Sequence, residues 1–218
     1  MRITCLADSY KHNGRCIAGI DEAGRWVRPV SSGKKRAIDQ ETRIINGSEP
    51  RILDILEIPL HAHGPDDGCQ PENKLLKAGQ WKKVGQVRPK GLLKYCEDDS
   101  VVLHNNLDHV RASCFRMIPS YGWKSLQFIR NDNVVFEQDV NNKAKWRTKF
   151  VNSKGTALGL RITDPVICER LEHGENISED CLLTVSMAAG WSPDKQTYKR
   201  CYKFVAGVIE LQTSKPAA

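Results

Sequence analysis

A chain of 218 residues, 40% hydrophobic and 27% charged, can bury one large core or two of roughly 100 residues each without disulfide staples. Its net charge of +7 and pI near 9.0 favour a polyanionic partner, and no apolar run is long enough to span a membrane. The 8 cysteines form no C-x-x-C pair and no regular framework, and the N-terminus turns polar too soon for a secretory signal, so we expect a cytoplasmic protein with reduced, mostly core thiols.

Taken in chain order, strands are predicted at residues 2–7, 15–21, 26–31, 52–59, 101–104, 125–130, 133–138, 144–151, 156–163, 181–188 and 201–211, each bounded by Gly, Pro, Asn or Asp. Two short helices are predicted. One follows Pro71, with Gly79 after its end, and the other follows Asp164 and Pro165, an N-cap with proline in the first turn. One helix among about five strands in each half is what paired barrels would show. The best boundary lies at residues 114–123, where Pro119 to Gly122 interrupts the apolar pattern. That divides the chain into 1–112, 113–213 and a polar tail at 214–218.

Several stretches resemble bacterial dual OB-containing domain proteins: CLADSYKHNGRCIAG from Cys5, WVRPVS from Trp26, QPEN from Gln70, LRITDP from Leu160 and YKFVAGVI from Tyr202. The resemblance implies an all-β fold of two OB-like β-barrels in tandem, and such barrels commonly bind single strands or other extended ligands across one face. None of these stretches is a catalytic signature. The chain also lacks a phosphate loop, a dinucleotide fingerprint, a nucleophile elbow and the usual zinc motifs, so no cofactor or metal is expected. His61, His63, Asp66, Asp67 and Cys69 gather metal-type ligands, but no second cluster completes a site, and they read as a solvated turn.

Candidate ligand contacts concentrate near the N-terminus. Ser9, Lys11 and His12, between two predicted strands, and Arg15, at the start of the second, could bind an anion, with Trp26, Arg28 and Ser31 on the next strand. Gln70 and Asn73 could make directional hydrogen bonds to a base or ribose, or cap the short helix beside them. Of the five tryptophans, Trp123 with Tyr121 is the best placed to stack on a base.

Lys143, Lys145, Arg147 and Lys149 alternate with Ala144, Trp146, Thr148 and Phe150, in a window with no acid between Asp139 and Asp164. In a strand the four cations would share one face at about 6.5 Å spacing, close enough to backbone phosphates to track a nucleic-acid strand. Lysines guarding an edge strand would look the same. The sequence thus predicts a non-catalytic binder of single-stranded DNA or RNA. An enzyme or sensor for a nucleotide-derived small molecule, in a pocket formed by the N-terminal polar segment, is the alternative, and a protein-binding adaptor the third.

Overall fold

The computed structural model describes residues 1–11, 14–33, 35–192, 194 and 198–211, with the side chain of Lys11 excepted. Strands β1 (Arg2–Lys11), β2 (Gly14–Ile20), β3 (Trp26–Val30), β4 (Asp54–Glu57), β5 (Asn73–Leu75) and β6 (Lys82–Gln86) form one sheet in the order β5-β3-β2-β1-β4-β6. Strands β7 (His109–Arg111), β8 (Leu126–Asn131), β9 (Val135–Asp139), β10 (Asn142–Val151), β11 (Ala157–Ile162), β12 (Cys181–Met187) and β13 (Arg200–Glu210) form the second. Its order is β8-β12-β13-β11-β10-β9, with β7 on β13. The expected all-β class holds, but no closed barrel is found: among the described strands no pairing joins the two ends of either sheet.

Local signals and tertiary pairing agree at one predicted helix and conflict at the other. Helix α2 (Pro165–Glu172) starts as its sequence requires, with Asp164 accepting the N–H groups of Val166 and Ile167. The helix expected after Pro71 does not form. Asn73, Lys74 and Leu75 instead pair in parallel with Arg28, Pro29 and Val30, because so short a helix has little stability of its own to set against sheet pairing. Among its described residues this half instead carries the short helix α1 (Gln40–Arg43), capped by Asp39, and a 3₁₀ helix at Pro89–Tyr95.

Residues 101–104 were expected as a strand and are a turn, with Leu103 and His104 at φ of 46° and 73°. Side chains take the backbone bonds a ladder would have taken. Gln127 Oε1 accepts the Leu103 N–H at 2.7 Å, and Lys203 Nζ donates to the Val102 carbonyl at 2.7 Å. The strands at Asn73–Leu75, Lys82–Gln86 and His109–Arg111 escaped prediction; two have only three residues, and the third carries no apolar alternation.

The core is layered, and β1 explains why. Ile3 and Cys5 pack with Ile17, Leu56, Ile58 and Trp81 inside the first sheet, whereas Leu6 packs with Phe128, Leu182 and Ile209 of the second. The β1–β2 register slips between Cys5 and Ala7, so Leu6 is bulged and its carbonyl accepts Thr184 Oγ1 at 2.6 Å across the sheets. Ala7, Ala18 and Ala206 keep the approach close. At Gly207 a Cβ would stand 2.2 Å from the Leu6 oxygen, which is backbone and cannot step aside. The far face of the second sheet carries the larger core, around Ile129, Phe150, Leu183 and Val205.

Candidate functional site

Several of the predicted ligand contacts turn inward. Arg28 is 2% exposed. Its guanidinium donates to Asn73 Oδ1 (3.5 Å), the Ser125 carbonyl (3.3 Å) and Ser186 Oγ (3.2 Å), so it spans the two sheets. Gln70 and Asn73 are buried beside it: Gln70 donates to the Met187 carbonyl, and Asn73 to the Pro65 carbonyl and Gln70 Oε1. Glu72 completes the seam by accepting from the Ser125 N–H and hydroxyl at 2.7 Å each. Arg28, Gln70 and Asn73, read from sequence as facing a ligand, meet protein partners instead. Cys69, read as part of a solvated turn, is buried too, 3.7 Å from Cys201 Sγ.

The other members of the segment are scattered. Ser9 is buried and its hydroxyl donates to the Cys16 carbonyl across the β1–β2 pair. Trp26 is half-buried with its indole N–H on Glu97, and Ser31 is half-buried just after β3. His12 lies outside the described residues, as does the Lys11 side chain. Arg15 alone lines a cavity, paired with Asp8 at 3.1 Å and Glu49 at 3.6 Å.

The basic ribbon alternates only over its second half, where Thr148 and Phe150 are buried, Lys149 is exposed and Arg147 is half-buried. In its first half Ala144 is exposed like Lys143, and Lys145 and Trp146 are both half-buried, where the β9–β10 register slips between Asn142 and Trp146. Its charge is not free, however. Antiparallel β9 brings Glu137 to Lys149 (2.8 Å) and Asp139 to Arg147 (3.4 Å), and Arg147 also donates to the Gly159 carbonyl. Acids missing from the sequence window are supplied by the neighbouring strand. Lys143 and Lys145 have no ion-pair partner among the described residues.

The tryptophans also trade places. Trp123, expected to stack, is half-buried against Phe115 and donates its indole N–H to the Phe115 and Ile118 carbonyls, while Tyr121 is exposed beside it. Trp191 is the one standing out, 58% exposed, and it belongs to a cluster that follows from period two. Tyr202 pairs with His109 and Arg200 with Arg111 across β13 and β7, while Cys201 and Val110 between them are buried. One face of this ribbon therefore presents His109, Arg111, Arg200 and Tyr202. Trp191 bridges Arg200 from the other side, its ring 6.3 Å from Tyr202, and exposed Tyr198 lies under the Arg111 guanidinium at 5.6 Å. Beneath it, buried Lys203 donates to the Val102 and Asn105 carbonyls and Asn105 Oδ1, fixing the turn that leads into β7.

A cleft of about 1110 Å³ opens between the two halves of the chain. Asp8 and Arg15 come from the first sheet, Arg51, Arg88 and Lys90 from its loops, and α2 and the end of β13 supply the opposite wall. Asp8 is 7% exposed. Its Oδ2 meets Arg15, while its Oδ1 has no partner among the described residues. Burial pushes Asp8 up to about 6 against the pull of Arg15, and burial likewise pushes Asp164 up to about 6 although it accepts three backbone N–H groups.

Two mostly antiparallel sheets packed face to face, with a polar cleft between them and no helix among the described residues long enough to cross a membrane, define an all-β two-sheet protein. Residues 1–208 match the family described as Dual OB-containing domain. The chain belongs to that family. No curated protein and no solved structure matches it.

Proposed function

We propose that this protein is a non-catalytic binder of single-stranded nucleic acid, with the strand lying across the face made by β7, the start of β13 and Trp191. The carrying observation is the interleaving of aromatic and cationic side chains on one exposed face: Trp191, Tyr198, Tyr202 and His109 with Arg111 and Arg200. Flat rings accept any base, and guanidinium groups meet phosphates, so the combination favours strand binding with little sequence preference. Asp108, hydrogen-bonded to His109 Nδ1, is the acid of this patch and offsets part of the charge. Exposed Lys143 and half-buried Lys145 on β10 would extend phosphate contacts beyond the platform. Eight free thiols fit the reducing cytoplasm to which we assign the chain.

The test is titration with single-stranded oligonucleotides at several salt concentrations. Replacing Arg111 and Arg200 by glutamine should flatten the log–log salt slope by about 1.4, at roughly 0.7 per phosphate contact. An unchanged slope in that variant would remove the platform from the binding surface. The second reading, a small-molecule sensor, is favoured by one separate observation, the cleft around Asp8.

A further inference from the structure

We propose that the cleft between the two sheets is a binding site for a purine 5′-nucleotide whose base carries an amino group, with Asp8 Oδ1 accepting from that group and Arg51, Arg88 and Lys90 meeting the phosphate. The proposal stands on the cleft alone and does not depend on the strand-binding platform.

The observation that points to a ligand is the orphaned oxygen. A carboxylate oxygen shut away from water with no donor among the described residues carries a desolvation penalty, which the Arg15 contact on the other oxygen of Asp8 returns only in part. Asp164, the other carboxylate in the cleft, differs in this respect, because both its oxygens hold backbone N–H groups of α2 and β13. Asp8 Oδ1 holds no donor among the described residues.

The remaining chemistry narrows the donor. Ile52 and Leu53 from the first half and Val166 and Ile209 from the second give the cleft apolar walls, which suit a flat ring system. Arg51, Arg88 and Lys90 are exposed at the cleft and make no ion pair among the described residues, whereas Arg15 and Arg170 are already matched by Asp8, Glu49, Glu175 and Glu210. Of the cleft acids, Glu169 and Asp164 make no ion pair among the described residues, and Asp164 already holds three backbone N–H groups, so three unpaired cations stand against two acids and the surplus is cationic. A ligand with an N–H donor, a flat apolar body and a phosphate satisfies all three features. The volume exceeds what a lone phosphate or amino acid would fill and accommodates a nucleotide.

Calorimetric titration of the full chain with AMP, GMP and nebularine 5′-monophosphate, a purine nucleotide without an amino group, tests the assignment. AMP or GMP should bind, and the nebularine nucleotide should bind about ten-fold more weakly, the cost of one charge-assisted hydrogen bond. Asp8→Asn should shrink that preference towards unity. Arg88→Gln with Lys90→Gln, both on exposed side chains, should shrink the advantage of AMP over adenosine, measured in the same titrations, even if the Asp8 variant fails to fold. Displacement of AMP by a 5′-phosphorylated oligonucleotide would support the site and mark a strand end as the source of the nucleotide. No heat from any nucleotide at millimolar concentration, or an Asp8→Asn variant that keeps the parent's preference, would overturn the proposal. Trp191→Ala should leave AMP binding intact, so failure of the platform and failure of the cleft read out separately.

Discussion

The seam around Arg28 and the platform around Trp191 use arginine to opposite ends. Arg28, Gln70, Glu72 and Asn73 bury their polar atoms between the sheets and find partners in Ser125, Ser186 and Met187, so their hydrogen bonds are internal. Arg111 and Arg200 lie on a ribbon whose buried face is already filled by Val110 and Cys201, which leaves their guanidinium groups outside with the rings. An arginine beside an aromatic therefore carries no functional meaning until its burial is known. Recognition capacity resides in the groups whose hydrogen bonds and charges the fold leaves unmatched.

The largest effect that would break this contrast is on stability. Arg28→Ala removes a large buried side chain and strands the Ser125 carbonyl, Ser186 and Asn73, so we expect a loss of about 3 kcal/mol or more, read by chemical denaturation. A variant as stable as the parent would mean that the seam is wet and available to ligand after all.

Asp8 comes next, and its sign runs against that of most carboxylates. Its native pKa of about 6 lies above the ordinary value of 3.8, so the folded chain binds more protons between those limits and stability falls as pH rises from about 4 to about 6. At roughly 1.4 kcal/mol per pKa unit the loss is of order 3 kcal/mol, all of it present at pH 7. The groups facing Asp8 are Arg15, Arg43, Glu49 and Asp164, and Asp164 titrates in the same window. Asp8→Asn should therefore flatten part, not all, of the decline in melting temperature between pH 4 and 6. A parent whose stability rises across that range would contradict the burial of the carboxylate with one oxygen unpartnered.

Much of the fold was legible locally, and much of the site was not. The alternation around Thr148 and Phe150 and the Asp164–Pro165 helix start are encoded within a few residues, and structure and sequence agree there. Arg28 could not be placed from sequence, because Ser125 and Ser186 are 97 and 158 positions away. Trp123 and Trp191 each follow a glycine, so local composition cannot rank them. What separates them is that the carbonyls of Phe115 and Ile118 capture the Trp123 indole. The best available signal for the platform was the alternation of Arg200 and Tyr202 around Cys201, a single period too short to stand out.

Trp191→Ala sharpens the platform side of the comparison. An exposed ring contributes little to folding, so stability should stay within about 0.5 kcal/mol of the parent. Single-strand affinity should fall by about 1–3 kcal/mol, the usual value of one stacked base. An early melt with unchanged affinity would make Trp191 a cover for the β7–β13 pair rather than a contact for nucleic acid.

The smallest effect separates free from matched cations on β10. Lys143→Gln with Lys145→Gln should lower the salt slope by no more than about 1.4, whereas Arg147→Gln with Lys149→Gln should lower it hardly at all, because Asp139 and Glu137 already neutralise that pair. Counterions released on binding come only from phosphates the protein neutralises, so a cation held by its own carboxylate adds little to the slope. Releasing those cations gives the reciprocal test: Glu137→Gln with Asp139→Asn should steepen the slope if the ribbon lies along the bound strand. Should the Arg147 and Lys149 variant flatten the slope more than the Lys143 and Lys145 variant, the β9 acids must swing aside on binding, and the ribbon, not the platform, follows the phosphates.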